Sequence, residues 1–203
     1  MGSSASASRD ISPGNVIRLT GRQEQLRDQL LRLFLAEGFV DFTLDDLAGK
    51  LGCSKRTLYA LADSKEQLAT SVTRLFFRRA TDQVEAAIAR LRSPERRVTG
   101  YLEAVAEALR PASRQFLNDL SRLTPTREIY VENTTAAAAR LRSLVDEGTA
   151  AGAFREVQAD FLVEVVTATM QRIGSGRVQS NTGLDDAEAY AQLAQLVLAA
   201  VRA

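Results

Sequence analysis

The side chains of this chain best suited to chemistry lie in residues 42–68, FTLDDLAGKLGCSKRTLYALADSKEQL. All three lysines of the 203 residues, Lys50, Lys55 and Lys65, fall here, and every other base is arginine. Ser54-Lys55-Arg56-Thr57 sets hydroxyls and cations at the predicted start of a short helix. The free N–H groups of a helix start attract phosphate. An arginine or lysine there can read a guanine edge, and a threonine methyl can meet a thymine methyl. This is chemistry of recognition. Bond-breaking chemistry has little to work with. The absence of His removes the Ser-His-Asp triad, the Cys-His dyad, the histidine base and the histidine metal ligand. A single Cys, Cys53, excludes an internal disulfide, a zinc knuckle and an iron–sulfur site. The carboxylate pairs Asp45/Asp46 and Asp185/Asp186 are neighbours on helices, so they diverge by about 100°. No glycine loop for a phosphate is present. No catalytic residue, metal ligand or cofactor is expected.

The formal charge of +1 hides an uneven spread. Residues 1–90 hold 13 basic and 11 acidic side chains, residues 91–203 hold 13 and 14. A cluster of bases alone is more often a solvated helix face than a binding site. A lone Cys is more often a small hydrophobe than a redox sensor. No apolar run of about 18 residues occurs, so no membrane span is expected. The first residues, MGSSASASRD, lack a basic start and an apolar stretch, which predicts a cytoplasmic protein.

The elements that must position these residues follow from periodicity. Residues 1–20 are rich in Ser, Ala, Gly and Pro and read as a disordered arm. Beyond them helical periodicity rarely stops and no strand-like alternation appears, which predicts an all-α chain of about nine helices. The first runs over 22–37 to Gly38, and long ones run over 65–91, 94–110 and 124–150, with a short one over 111–123 between them. Two apolar helices close the chain, from Asp160 and over 184–202, with a loop over 174–183. Inside 42–68 three helix starts are written: Thr43 with Asp46, Ser54, and Ser64 with Gln67. A two-turn helix, the three residues Gly52-Cys53-Ser54 and a second helix over 55–62 make helix-turn-helix spacing. The domains predicted are a helix-turn-helix DNA-binding domain over 21–66 and a helical ligand-binding and dimerisation domain over 67–203.

The run GFVDFTLDDLAGKLGCSKRTLYALADSKEQL, within Arg22 to about Leu75, resembles the N-terminal domain of TetR-family transcriptional regulators. Ala36-Glu37-Gly38-Phe39, Leu47-Ala48, Leu51-Gly52, Thr57-Leu58-Tyr59 and Ser64-Lys65-Glu66-Gln67-Leu68 carry the likeness. Ala60, Leu61 and Ala62 depart from it, standing where the family has aromatic or His residues. The resemblance implies a homodimer whose first three helices bind DNA and whose later helices bind a small molecule and dimerise. It points to Thr43, Ser54, Lys55, Arg56, Thr57, Tyr59 and Lys65 as DNA contacts, Tyr59 through its hydroxyl and Lys65 on the flanking backbone. Phe76, Phe77, Tyr101, Phe116, Tyr130 and Met170 are the candidates for lining a ligand cavity. Arg114 and Asn118 read as surface residues pairing with Asp119 and Glu128. Residues 160–203 are expected to form the homodimer interface. The function expected is a ligand-responsive regulator, a repressor released from a palindromic DNA operator by a small-molecule effector. The alternatives are a helix-turn-helix domain used for DNA architecture or protein contacts, and a helical enzyme.

Overall fold

The computed structural model describes residues 20–202, so the predicted arm lies, apart from Thr20, outside the described residues. Ten helices and no strand occur among them: α1 (Gly21–Glu37), α2 (Leu44–Leu51), α3 (Lys55–Tyr59), α4 (Lys65–Ile88), α5 (Pro94–Leu109), α6 (Arg114–Leu120), α7 (Thr124–Ala150), α8 (Ala159–Gly174), α9 (Arg177–Thr182) and α10 (Asp186–Val201). The helix starts are set by side chains that satisfy free N–H groups. Thr43 and Asp46 form a reciprocal capping box on α2, and Asp185 and Glu188 form one on α10. Ser54, Ser64, Ser93 and Ser113 cap α3 to α6. Thr20, assigned by sequence to the arm, forms a third box with Gln23 and starts α1.

Three expectations change. First, α3 ends at Tyr59 rather than Ala62. Ser64 must be extended (φ −150°) to cap α4, so the chain has to leave the helix early. Second, α6 starts from the Ser113 cap and leaves Pro111 outside. Third, the loop predicted over 174–183 contains α9. Gly176 (φ +73°) starts it and Gly183 (φ +79°) ends it. The glycines there bracket a short helix, because the left-handed conformation they adopt turns the chain at each end.

Two cores form. One joins Leu30 and Phe34 of α1, Leu47 of α2, Leu58 of α3 and Leu68 to Phe77 of α4 with Phe116 and Leu120 of α6. The other joins Val84 and Ile88 of α4 with α5, α7, α8 and α10. Helix α4 therefore belongs to both, with the polar segment Arg78–Gln83 between its two apolar stretches. At 1.5 Å per residue it reaches about 36 Å. No helix among the described residues is long and apolar enough to cross a membrane.

Candidate nucleic-acid interface and cavity

The turn between α2 and α3 is built around Gly52, left-handed at φ +59° and ψ 35°, with its N–H on the carbonyl oxygens of Ala48 and Gly49. Leu47 and Leu58 are fully buried and fix the two helices on α1. Cys53 packs against this core as a half-buried hydrophobe, and burial pushes its thiol up. What remains outside is the start of α3. Ser54, Lys55 and Arg56 are exposed, and Tyr59 is 49% exposed, so it is not a core aromatic. Ser54 Oγ accepts from Thr57 N–H at 3.2 Å and lies 2.9 Å from Thr57 Oγ1, which holds the first turn rigid. Lys55 Nζ sits 2.7 Å from Asp45 Oδ1, both side chains in solvent. The Asp45 carboxylate, by hydrogen bond and charge, pushes the Lys55 ammonium up and keeps it protonated. An exposed pair of this kind is worth little and yields readily to a competing anion. The charge of Arg22, at the start of α1, opposes that rise in the Cys53 thiol.

Two residues assigned to DNA are engaged inside the protein. Lys65 Nζ donates to Val40 O and Phe42 O, both at 2.6 Å, so it anchors the start of α4 to the α1–α2 loop rather than pointing at a phosphate. Two carbonyl acceptors within reach outcompete solvent for an ammonium, which the sequence spacing could not reveal. Replacing Lys65 by Met is expected to cost about 1–3 kcal/mol of stability. The salt slope of DNA binding should stay unchanged, whereas loss of a phosphate contact would lower it by about 0.9. Urea unfolding and a salt titration check both. The Thr43 hydroxyl is engaged in its cap, donating to Asp46 Oδ2 at 2.7 Å and accepting from Asp46 N–H at 3.2 Å. Lys50, the remaining lysine, pairs with Glu37 at 2.9 Å and lies over the Phe42 ring.

A cavity of about 400 Å3 lies where the two cores meet. Its wall includes four of the six predicted residues, Phe77, Tyr101, Tyr130 and Met170. Phe76 and Phe116 are not in it. They meet edge to face at 5.4 Å in the first core, because successive residues on α4 point to different sides. Arg114 does not pair with Asp119 or Glu128. It reaches from α6 to the cavity wall and donates to Gln179 Oε1 at 2.6 Å, with Asp186 Oδ1 and Ile173 O at 3.4 Å. Tyr190, Glu85 and Arg140 also line the cavity and went unassigned in the sequence. Tyr101 Oη donates to Ala137 O at 2.8 Å, and burial raises its pKa and that of Tyr190. A third site is a groove of about 460 Å3 between α8 and α10. Phe161 and Leu196 there are each 68% exposed and Val165 42%, three of the five large hydrophobic residues in solvent among the described residues.

The family described as "Bacterial regulatory proteins, tetR family" matches residues 26–72. An uncharacterized HTH-type transcriptional regulator of Bacillus subtilis (strain 168), YvaF, is 50% identical over 48 residues, 24% of this chain and 25% of that protein. The matched stretch thus spans a quarter of that relative's own length. Over most of the chain the likeness is to folds. A putative transcriptional regulator from Saccharomonospora viridis, solved in complex with choline, is 16% identical, with a TM-score of 0.74 over 90% of this chain and 98% of its own. The fatty acid degradation regulator FadR from Bacillus halodurans is 16% identical, with a TM-score of 0.70 over 89% and 96%. PfmR from Thermus thermophilus, a TetR family transcriptional regulator, is 21% identical, with a TM-score of 0.64 over 86% and 97%.

Proposed function

We propose that this chain, whose residues 26–72 match the family of bacterial regulatory proteins described as tetR, is a dimeric TetR-family repressor that leaves a palindromic operator when a small molecule fills its cavity. The observation that carries the reading is the exposed, Ser54-capped start of α3, held by the Gly52 turn with Lys55, Arg56 and Tyr59 in solvent. Inserted in the major groove, α3 offers Arg56 and the Thr57 methyl to base edges, and Ser54, Lys55 and Tyr59 to phosphates.

The α8–α10 groove supports a homodimer through residues 160–203. Exposed Phe161, Val165 and Leu196 form an apolar patch that a second copy would cover in an isologous contact. Leu196→Asp is expected to convert the dimer to monomer at micromolar concentration in sedimentation. A dimer of unchanged affinity would move the interface elsewhere.

Release follows from two helices that touch both ends. Helix α4 is fastened to the α1–α2 loop by Lys65 and lines the cavity with Phe77, Val84 and Glu85. Helix α6 lines the cavity with Arg114 and Leu117 and grips the same loop with Asp119. An effector that favours the arrangement with the wrong spacing of the two α3 helices lowers DNA affinity by its preference between the two states. Selection of bound DNA from a random pool tests the function. A two-fold symmetric consensus is expected, and enrichment without any sequence preference would point instead to an architectural DNA-binding role.

A further inference from the structure

We propose that the effector is uncharged: a compact, largely apolar molecule bearing one or two hydrogen-bonding oxygens. This class rests on reading the cavity as the effector site. The deep wall is apolar and aromatic, with Phe77, Val84, Val105, Met170 and the rings of Tyr101 and Tyr190 buried around it. Charged side chains do line it, but each already has a partner. Arg140 donates Nε to Glu85 Oε1 at 2.8 Å and Nη2 to Glu85 Oε2 at 3.1 Å, which engages both carboxylate oxygens. Its remaining nitrogen, Nη1, lies 3.5 Å from both Ser143 Oγ and Glu147 Oε1. Arg114 is held by Gln179, Asp186 and Ile173 O. Arg110 pairs with Glu107 at 2.9 Å, and Asp185 caps α10 by accepting from Glu188 N–H at 2.8 Å.

These pairs also join helices, Glu85 on α4 to Arg140 on α7 and Arg114 on α6 to Asp186 on α10. Arg110, 73% exposed, keeps its charge in solvent, so an anionic ligand among the buried rings would have to take Arg140 from Glu85 or Arg114 from Asp186, stranding a carboxylate. A cationic ligand would strand a guanidinium. These four side chains keep 31–44% of their surface in solvent, and a ligand filling the cavity takes that water away. Once the pair is covered, leaving one member alone costs more than the new contact returns. A neutral ligand breaks nothing. Uncharged hydrogen-bonding groups remain for it at Tyr130, Tyr190 and Asn133. Gly174 leaves room for the first of these, since a Cβ there would stand 2.7 Å from the Tyr130 hydroxyl.

The test uses the full chain and three probes of one shape, 2-naphthol, 2-naphthoate and 2-naphthyltrimethylammonium, in calorimetry at neutral pH. 2-Naphthol is expected to bind at least about tenfold more tightly than either ion. An ion that binds as well or better overturns the uncharged class while leaving the cavity as the effector site. Failure of all three to bind overturns the cavity reading itself. Glu85→Gln is expected to raise the affinity for 2-naphthoate by about tenfold or more, since it frees Arg140 inside the same wall. Arg140→Met is expected to do the same for the ammonium. If neither variant moves its ion, the pair is not what selects against charge, and the proposal fails.

Discussion

Replacing Asp119 by alanine is expected to destabilise the protein by about 3–5 kcal/mol. The side chain is 1% exposed and lies where α6 meets the loop after α1. Its Oδ2 accepts from Phe39 N–H at 2.7 Å and Val40 N–H at 2.9 Å, and its Oδ1 accepts from Gln115 Nε2 at 2.9 Å. Arg122 Nη1 stands 3.4 Å from the same Oδ1. Gly38 makes the approach possible, because a Cβ on it would fall 2.6 Å from Oδ2. Around this clamp, Ser113 N–H donates to Leu35 O at 2.8 Å, and Phe116 packs against Phe39 and Phe76. Alanine would leave two backbone donors without their acceptor, one of them buried, and that omission is costlier than the bond is favourable. Asp119→Asn keeps one oxygen acceptor and should lose only about 1–2 kcal/mol. Urea unfolding at fixed protein concentration measures both. An alanine variant within about 0.5 kcal/mol of the parent would mean that the clamp contributes nothing to stability.

Arg56→Ala is expected to remove discrimination at one operator position, by about 1–3 kcal/mol for each copy of α3. A dimer carries the substitution twice, so the loss on a palindrome is about doubled. The salt slope should hardly change if the contact is to a base edge. Lys55→Ala should act differently, weakening all sequences alike and lowering the slope by about 0.9 per phosphate lost. Asp45→Asn should strengthen binding several-fold, because Lys55 then reaches a phosphate without leaving a partner and a nearby negative charge is gone. Competition binding with operator variants across a salt series separates the three. If Arg56→Ala leaves the base preference intact, α3 does not enter the groove by its N-terminal turn.

Local signals were legible wherever one residue type has one physical use. Thr43, Ser54 and Ser64 mark helix starts because their oxygens reach an N–H two or three residues on, whatever the tertiary fold. Gly38 and Gly52 mark stops because both adopt positive φ. The helix-turn-helix could be read for the same reason, since its spacing, its small Ala48 and its Gly52 turn are local. Side-chain destinations were less legible. Lys65 looked like a phosphate ligand because its charge and place at a helix start fit one, yet the carbonyls that hold it come from residues 23 and 25 positions away. Arg114 looked like a surface residue because only its sequence neighbours could be weighed, while its partners lie 59 to 72 positions on. Phe76 and Phe77 had equal claims on a cavity until packing left Phe77 on its wall and turned Phe76 toward Phe116 within the same core.

The sequence by itself determined the all-helical class, the helix-turn-helix spacing and the likeness of residues 26–72 to the tetR family, and it excluded histidine chemistry. These depend on period, cap and residue count, which operate over a turn or two of chain. Only the tertiary structure decided which charges are free and which are paired. It left Arg56 in solvent, placed Lys55 against Asp45, closed Lys65 on two carbonyls and joined Glu85 to Arg140 in the cavity wall. The physical reason is that a charge takes whatever partner the fold brings within about 3–4 Å, and that partner is set by packing between distant segments.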